Sequence, residues 1–230
     1  MEVKLISYTP IDVAYFSAKT CYSKISPIEL YETDKVPQED KIKFLKKIIA
    51  TGHLSTIEGI NFTLLINSVS RSLLTQLTRH RIGVQFSVQS QRYVKYTKDN
   101  YSIFTPLSIL SQESALKEYN RIQEECFTVY QNLLGIGIPK EDARYVLPNA
   151  TCTNVTMTIN LRALMHLMEL RLCSRASQEI RYLMEQIKLK IVEKEPWLKD
   201  YLVPKCEVHG FCTEHQCCGR KPRLEDIVKG

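Results

Sequence analysis

The chain has 230 residues, enough for one domain or for one large domain with a tail. A hydrophobic content of 44% can fill a core, and 24% charged residues argues against disorder. The net charge of +6 favours anionic partners without choosing between nucleic acid and phosphate-bearing metabolites. No apolar run is long enough to span a membrane and the first residues lack a signal-peptide pattern, so we expect no membrane association and a cytoplasmic location.

The first half of the chain alternates predicted strands and helices. Short alternating or β-rich runs predict strands at 3–7 and 60–67. Apolar residues at helical spacing predict helices at 10–18, 36–52 and 70–79. Pro37 suits a first helical turn and Gly52 a helix end. The polar segment 83–90 is expected to be a loop or an extended segment.

The second half is mainly helical. Helices are predicted at 113–134, from Asn160 to about 173, and at 176–194, and Asn160 can cap the second of them. Residues 153–159 alternate like a half-buried strand. Pro196 and Pro204 mark a change to irregular structure. Few, separated strands among helices predict an α+β fold.

Basic residues in one stretch indicate an anion site. Arg79, His80 and Arg81 are consecutive, so they cannot all face one core, and Ser87, Ser90, Arg92 and Tyr93 follow them. Guanidinium groups suit phosphate and carbonyl oxygens, and a nearby hydroxyl can complete such a site. A solvated basic turn is an equally good interpretation of the spacing alone.

Two further groups of polar residues have functional and structural interpretations. Arg162 and His166 are four residues apart and share a helix face that also leads to Arg171. They can line a pocket, or His166 can be a hydrogen-bonded core residue. Ser55 and Glu58 lie in a connection where ligand contacts are common, although an ordinary polar turn explains them as well.

The eight cysteines do not predict disulfides, because nothing indicates export. Four of them are crowded into a segment with two histidines: Cys206, His209, Cys212, His215, Cys217 and Cys218. Their spacing matches no common zinc finger, so we expect free thiols and no bound metal. The sequence also lacks a dinucleotide-binding glycine motif, a Walker A loop and the hydrolase and zinc-protease motifs.

Two regions resemble the flavin-dependent thymidylate synthases. In residues 52–93 the resemblance is carried by the Arg79-His80-Arg81 triplet, Ser90 and the Arg92-Tyr93 pair, and in residues 143–181 by a second block. Together they cover some 80 residues in the order seen in the family. The spacing from Arg81 to Ser90 is one residue longer than usual, and Val88 stands where many members carry an acidic residue.

The resemblance implies a homotetramer with a mixed, largely antiparallel sheet flanked by helices, and active sites shared between subunits. Residues 1–203 are expected to form the catalytic domain and 204–230 an irregular Cys/His-rich tail. The implied reaction converts dUMP to dTMP, with FAD, NADPH and 5,10-methylenetetrahydrofolate, and with no nucleic-acid partner. The implied FAD contacts are Ser55, Glu58, Arg79, His80, Arg81, Asn160, Arg162 and His166. The implied dUMP contacts are Gln76, Arg79, Ser90, Arg92, Arg144 and Arg171, with Ser90 and Arg171 also assigned to catalysis.

Two other functions compete with this interpretation. A folate-only thymidylate synthase needs a cysteine nucleophile, typically in a Pro-Cys-His context, and the chain has no Pro-Cys pair. A nucleic-acid-binding module would use the same arginines on phosphates, would bind in a salt-sensitive way, and would carry no chromophore.

Overall fold

The sheet of this protein has four strands. A computed structural model describes residues 1–228. The strands are β1 (Glu2–Tyr8), β2 (Asn61–Ser70), β3 (Val84–Val88) and β4 (Cys152–Asn160). Their order is β1-β2-β4-β3, and all three neighbouring pairs are antiparallel. The predicted α+β class, with a sheet flanked by helices, is confirmed.

Eleven α-helices occur within residues 1–228. They are α1 (Asp12–Tyr22), α2 (Pro27–Thr33), α3 (Gln38–Ala50), α4 (Arg71–Leu77), α5 (Leu107–Leu110), α6 (Glu113–Gly135), α7 (Lys140–Ala143), α8 (Leu161–Arg171), α9 (Gln178–Lys194), α10 (Lys205–His209) and α11 (Leu224–Val228). Short 3₁₀ turns cover Leu54–Gly59, Arg144–Val146 and Pro196–Asp200. Among these residues no helix combines the length and the apolarity needed to cross a bilayer.

The structure narrows one predicted element and corrects others. The segment 83–90 is extended, one of the two forms expected, and contains β3, which pairs with β4. The segment after Pro196 is not wholly irregular, because a 3₁₀ turn buries Trp197 and Leu198, and α10 and α11 follow it. The helices α2, α5 and α7 were not predicted, and α2 and α5 bury no residue, so they leave no apolar period in the sequence.

The main core lies between the sheet and helices α8 and α9. Inward residues alternate along the two central strands, as in Phe62 and Leu64 of β2 and Met157 of β4. Leu164 of α8 and Leu183 of α9 belong to the same buried cluster. Burial of a large aliphatic or aromatic side chain contributes about 1.5–3 kcal/mol, so this cluster holds the helices against the sheet.

The register of the sheet brings three segments to one end. Asn61 pairs with Asn160, and Val84 pairs with Ile159. The start of β2, the start of β3 and the end of β4 therefore lie side by side. Leu161 of α8 follows β4 directly. This end of the sheet carries the candidate site.

Candidate active site

Two adjoining clefts open at this end of the sheet. The first is lined by Arg79, His80, Arg81, Ile82, Val84, Ile159, Ala163 and His166. The second shares Ile82, Ala163 and His166 and adds Glu58, Gly83, Asn160 and Arg162. Seven of the eight residues predicted to bind FAD thus line one continuous surface. The exception is Ser55, which is exposed on the Leu54–Gly59 turn and lines neither cleft.

Asn160 joins the strand, the helix and the cleft. Its side-chain oxygen accepts a hydrogen bond from the Ala163 backbone amide at 2.8 Å, which caps α8 as predicted. Its backbone amide donates to the Gly83 carbonyl at 2.9 Å. Gly83 has a φ of +71°, and a Cβ added there would lie 2.5 Å from the Asn160 side-chain nitrogen. Glycine is therefore required at position 83 on both conformational and steric grounds.

An ion pair orients Arg162 within the second cleft. Its Nη1 donates to Glu58 Oε1 at 2.6 Å, and both side chains are about half exposed. A pair this exposed contributes at most about 1 kcal/mol to stability. The pair places the Arg162 guanidinium next to Glu58, in the cleft that His166 also lines.

His80 is neutral and is held by Arg171. Arg171 Nε donates to His80 Nε2 at 3.1 Å, so the ring proton of His80 lies on Nδ1. Burial, and then the charges of Arg171, His166 and Arg79, lower the pKa of His80 to about 4. Burial and the charge of Arg79 also lower the pKa of Arg171, whose guanidinium nevertheless stays charged near neutral pH.

Gln76 lies between Arg171 and the start of α9. Its backbone oxygen accepts from Arg171 Nη2 at 3.4 Å, and its side-chain oxygen accepts from the Ser177 hydroxyl at 3.0 Å. Gln76 and Ser177 line a separate cleft with an empty volume of about 710 Å³. The predicted substrate residues Gln76 and Arg171 are thus connected to each other and to His80.

The other predicted substrate residues form a second group. Arg92 makes an ion pair with Glu141 at 2.8 Å, and Arg144 Nε donates to the Glu141 backbone oxygen at 3.0 Å. The Ser90 hydroxyl accepts from the Arg92 backbone amide at 3.2 Å. In residues 1–228, no hydrogen bond, ion pair or cleft connects this group to Arg171.

The two groups adjoin opposite ends of β3. His80, the partner of Arg171, precedes the strand, and Ser90 follows it. Five residues of β-strand span about 13 Å from first to last, at roughly 3.3 Å per residue. The structure therefore brings together Gln76, Arg171 and His80, and separately Ser90, Arg92 and Arg144. Within residues 1–228 the side chains of the two groups make no direct contact, although α4, which carries Gln76, is joined to the segment before Ser90 by a hydrogen bond from Arg71 to the Gln89 backbone oxygen at 3.0 Å.

The clefts fit a nucleotide cofactor. Arg79 and Arg81 are exposed at the rim, where their guanidinium groups suit a diphosphate. Val84 and Ala163, both partly exposed, offer apolar surface for a ring system, with buried Ile159 behind them. Ile82 is 92% exposed although it lines both clefts, and an isoleucine so placed can be covered by a bound planar group.

None of the cysteines is placed for nucleophilic attack in this cleft. Cys152 is buried and burial raises the pKa of its thiol. Cys173 and three tail cysteines line a different cavity, where Arg175 donates to Gln216 of the tail. Within the part of the chain that is described, no three Cys, His, Asp or Glu side chains are grouped to hold a metal ion.

Sequence reasoning missed Ile82, Gly83 and Ser177 as site residues. The first two follow the Arg-His-Arg triplet directly, and a glycine after a basic triplet was a signal that could have been used. Ser177 falls inside the predicted helix 176–194, whereas the structure begins α9 at Gln178 and leaves Ser177 as its N-cap.

The fold and the clefts define an α+β nucleotide-binding enzyme that lacks a Rossmann loop. The family described as "Thymidylate synthase complementing protein" matches residues 4–197. The flavin-dependent thymidylate synthase of Geobacter sulfurreducens is 34% identical over 232 residues, with 100% of this chain and 98% of the relative covered. The enzyme of that description from Clostridium tetani is 37% identical over 248 residues, covering 99% and 96%. The chain belongs to the flavin-dependent thymidylate synthase family.

Solved structures agree with this assignment. Thymidylate synthase X from Helicobacter pylori, crystallised with FAD and dUMP, is 25% identical, with a TM-score of 0.68 over 88% of this chain and 99% of that one. The UMP/dUMP methylase PolB from Streptomyces cacaoi shares the fold, with a TM-score of 0.74. The predicted enzyme class, a flavin-dependent thymidylate synthase acting on dUMP, is confirmed.

Proposed function

We propose that this chain converts dUMP to dTMP with bound FAD, with NADPH as reductant and 5,10-methylenetetrahydrofolate as carbon donor. One observation carries the proposal. The Arg-His-Arg triplet lies in a cleft that continues to the Glu58–Arg162 pair and to His166. That surface combines cationic donors with apolar walls, which is the chemistry that a flavin dinucleotide requires.

FAD would be held by residues of both clefts. Arg79 and Arg81 supply charge for the diphosphate, and Arg162, fixed by Glu58, supplies a directed donor. Neutral His80 offers an Nδ1 proton donor and adds no charge. When bound and reduced, FAD supplies the hydride that completes the methyl group.

The dUMP site is proposed to be shared between chains. Gln76, Arg79 and Arg171 would come from one chain and Ser90, Arg92 and Arg144 from another, because one chain keeps these groups apart. Sharing of this kind requires an oligomer, and we propose a homotetramer. Light scattering, with FAD content and activity followed across a dilution series, tests it, and a fully active monomer would rule it out.

Arg171 is proposed to act on the uracil ring. Its Nε and Nη2 are anchored on His80 and on the Gln76 backbone, so its position is fixed before substrate arrives. A preorganised guanidinium beside the ring stabilises negative charge that develops on the base. No cysteine lines the cleft that contains His80, the partner of Arg171, so the chain is proposed to contribute positioning and electrostatics rather than a covalent bond.

Anaerobic reduction of the bound flavin tests the proposal. The purified protein should be yellow and should release FAD on denaturation. NADPH should bleach the flavin absorbance, at a rate that changes with dUMP. A colourless protein that cannot be reconstituted with FAD would contradict the proposal.

The absence of a protein nucleophile has its own test. Ser90→Ala should keep measurable dTMP formation with a raised KM for dUMP, because it loses a phosphate contact. Mass spectrometry of enzyme trapped with 5-fluoro-dUMP should show no adduct on Ser90 or on a cysteine. An adduct together with a dead Ser90→Ala variant would contradict this chemistry. The absence of a nucleic-acid partner and a cytoplasmic location remain predictions from the sequence.

A further inference from the structure

We propose that Ser177 is a positioning residue for dUMP binding, which acts by fixing the side-chain amide of Gln76. The proposal rests on the proposed contact between Gln76 and dUMP. Ser177 itself need not touch the substrate. Its hydroxyl holds the Gln76 oxygen, so that the amide nitrogen of Gln76 is presented as the donor.

The hydroxyl of Ser177 is not used in the usual way. Ser177 is the N-cap of α9, with φ −59° and ψ 150°, and an N-cap serine commonly accepts a hydrogen bond from the first turn of its helix. No such bond is made here. The hydroxyl instead donates to Gln76 Oε1 at 3.0 Å, across 101 residues of sequence.

Gln76 is held at both its backbone and its side chain. Arg171 Nη2 donates to its backbone oxygen, and Ser177 engages its side-chain oxygen. The Gln76 Nε2 group makes no hydrogen bond within residues 1–228. Gln76 lines a cleft whose other polar lining includes Ser72 and Asn149. With its oxygen turned towards Ser177, the amide keeps both N–H donors of Nε2 free for a ligand.

This arrangement reduces the entropy cost of binding. A free glutamine side chain populates several rotamers and two amide orientations, and ordering a long side chain on association has an entropy cost. Removing the Ser177 hydroxyl transfers that cost to the binding step. We therefore expect the Kd for dUMP to rise about 3- to 10-fold, since a tenfold change corresponds to about 1.4 kcal/mol.

The experiment measures dUMP binding to FAD-loaded enzyme by calorimetry, alongside steady-state kinetics. Ser177→Ala and Ser177→Gly should both raise the Kd and the KM for dUMP and leave kcat within about twofold. Glycine is a good N-cap, so Ser177→Gly separates the hydroxyl from the stability of α9. Ser177→Thr keeps a hydroxyl and should restore the Kd. Thr75→Ala removes a hydroxyl next to Gln76 in sequence whose one hydrogen bond within residues 1–228 goes to the Ser72 backbone oxygen, and it serves as the matched control.

A double-mutant cycle tests the Gln76–dUMP contact and the positioning role of Ser177 separately. Gln76→Ala should weaken dUMP binding, and adding Ser177→Ala should then change nothing further. If Gln76→Ala leaves the Kd unchanged, the proposed Gln76 contact is wrong. If Gln76→Ala weakens binding while both Ser177 variants do not, the contact stands and the positioning role of Ser177 is wrong. Additive effects of the two substitutions would also overturn it, because Ser177 would then act independently of Gln76.

Discussion

Replacing Gly83 by alanine should destabilise the protein at the junction of β3, β4 and α8. Gly83 has a φ of +71°, and an alanine in that region costs about 1–2 kcal/mol. The new Cβ would also lie 2.5 Å from Nδ2 and 2.9 Å from Oδ1 of Asn160. Asn160 must then move, and loss of its cap on α8 costs about 1 kcal/mol. The expected total is about 2–3 kcal/mol.

Gly137 provides the matched control for this substitution. Its φ is +91°, and a Cβ added there meets nothing within 4 Å, so Gly137→Ala carries the backbone cost alone. Urea unfolding of both variants at one fixed subunit concentration measures the difference. In an Asn160→Ala background, Gly83→Ala should cost no more than Gly137→Ala. Equal destabilisation by the two glycine variants in the parent protein would refute the steric argument.

Three further predictions follow from the site and the tail. Burial lowers the pKa of His80 from an ordinary 6.5 to about 4. Between these two pH values the unfolded chain binds a proton at His80 that the folded chain does not bind. The free energy of unfolding therefore falls as the pH drops from 6.5 towards 4. In His80→Gln, the loss of unfolding free energy over this pH range should be smaller by about 1–2 kcal/mol, a value that allows for the half-exposed ring. Urea midpoints that depend on pH in the same way in both proteins would contradict this. Glu58→Gln should lower the FAD content, measured as the ratio of flavin to protein absorbance, and should change the free energy of unfolding by less than about 1 kcal/mol. Full FAD retention would contradict the proposal that this cleft binds FAD. Replacing the four tail cysteines (Cys206, Cys212, Cys217 and Cys218) by serine should leave the FAD content unchanged. Metal analysis of the parent protein should find well under one zinc per chain. Stoichiometric zinc would instead show that the tail is a structural zinc site.

The elements that the sequence predicted are those that bury a regular apolar face. The 176–194 helix was predicted within two residues of α9, which buries Leu183 and Ile187 in the core. The helix α2 was missed because none of its seven residues is buried. For the segment that contains β3, the sequence predicts only a loop or an extended segment. The inward residues of β3 are only partly covered and their neighbours are polar. Its structure depends on pairing with β4, whose partner positions lie some 70 residues away in sequence.

The sequence indicates which residues come together better than it indicates how they are arranged. Seven of the eight residues that the family resemblance assigns to FAD line the two clefts, and their contact with FAD stays a prediction. The sequence could not show that Arg171 holds His80, because that contact joins positions 91 residues apart. It also could not place Ser55 outside the cleft, since the local pattern of the turn does not determine which side chains point inward. These features depend on how the helices cross the sheet.

The separation of Arg171 from Ser90, Arg92 and Arg144 has a genetic consequence. If each site draws on two chains, then each polypeptide carries two halves of different sites rather than one whole site. An allele defective at Arg171 and an allele defective at Arg92 damage opposite halves. Co-expressed in one cell, they would assemble some sites in which both halves are intact, so two inactive alleles could together support growth without thymidine.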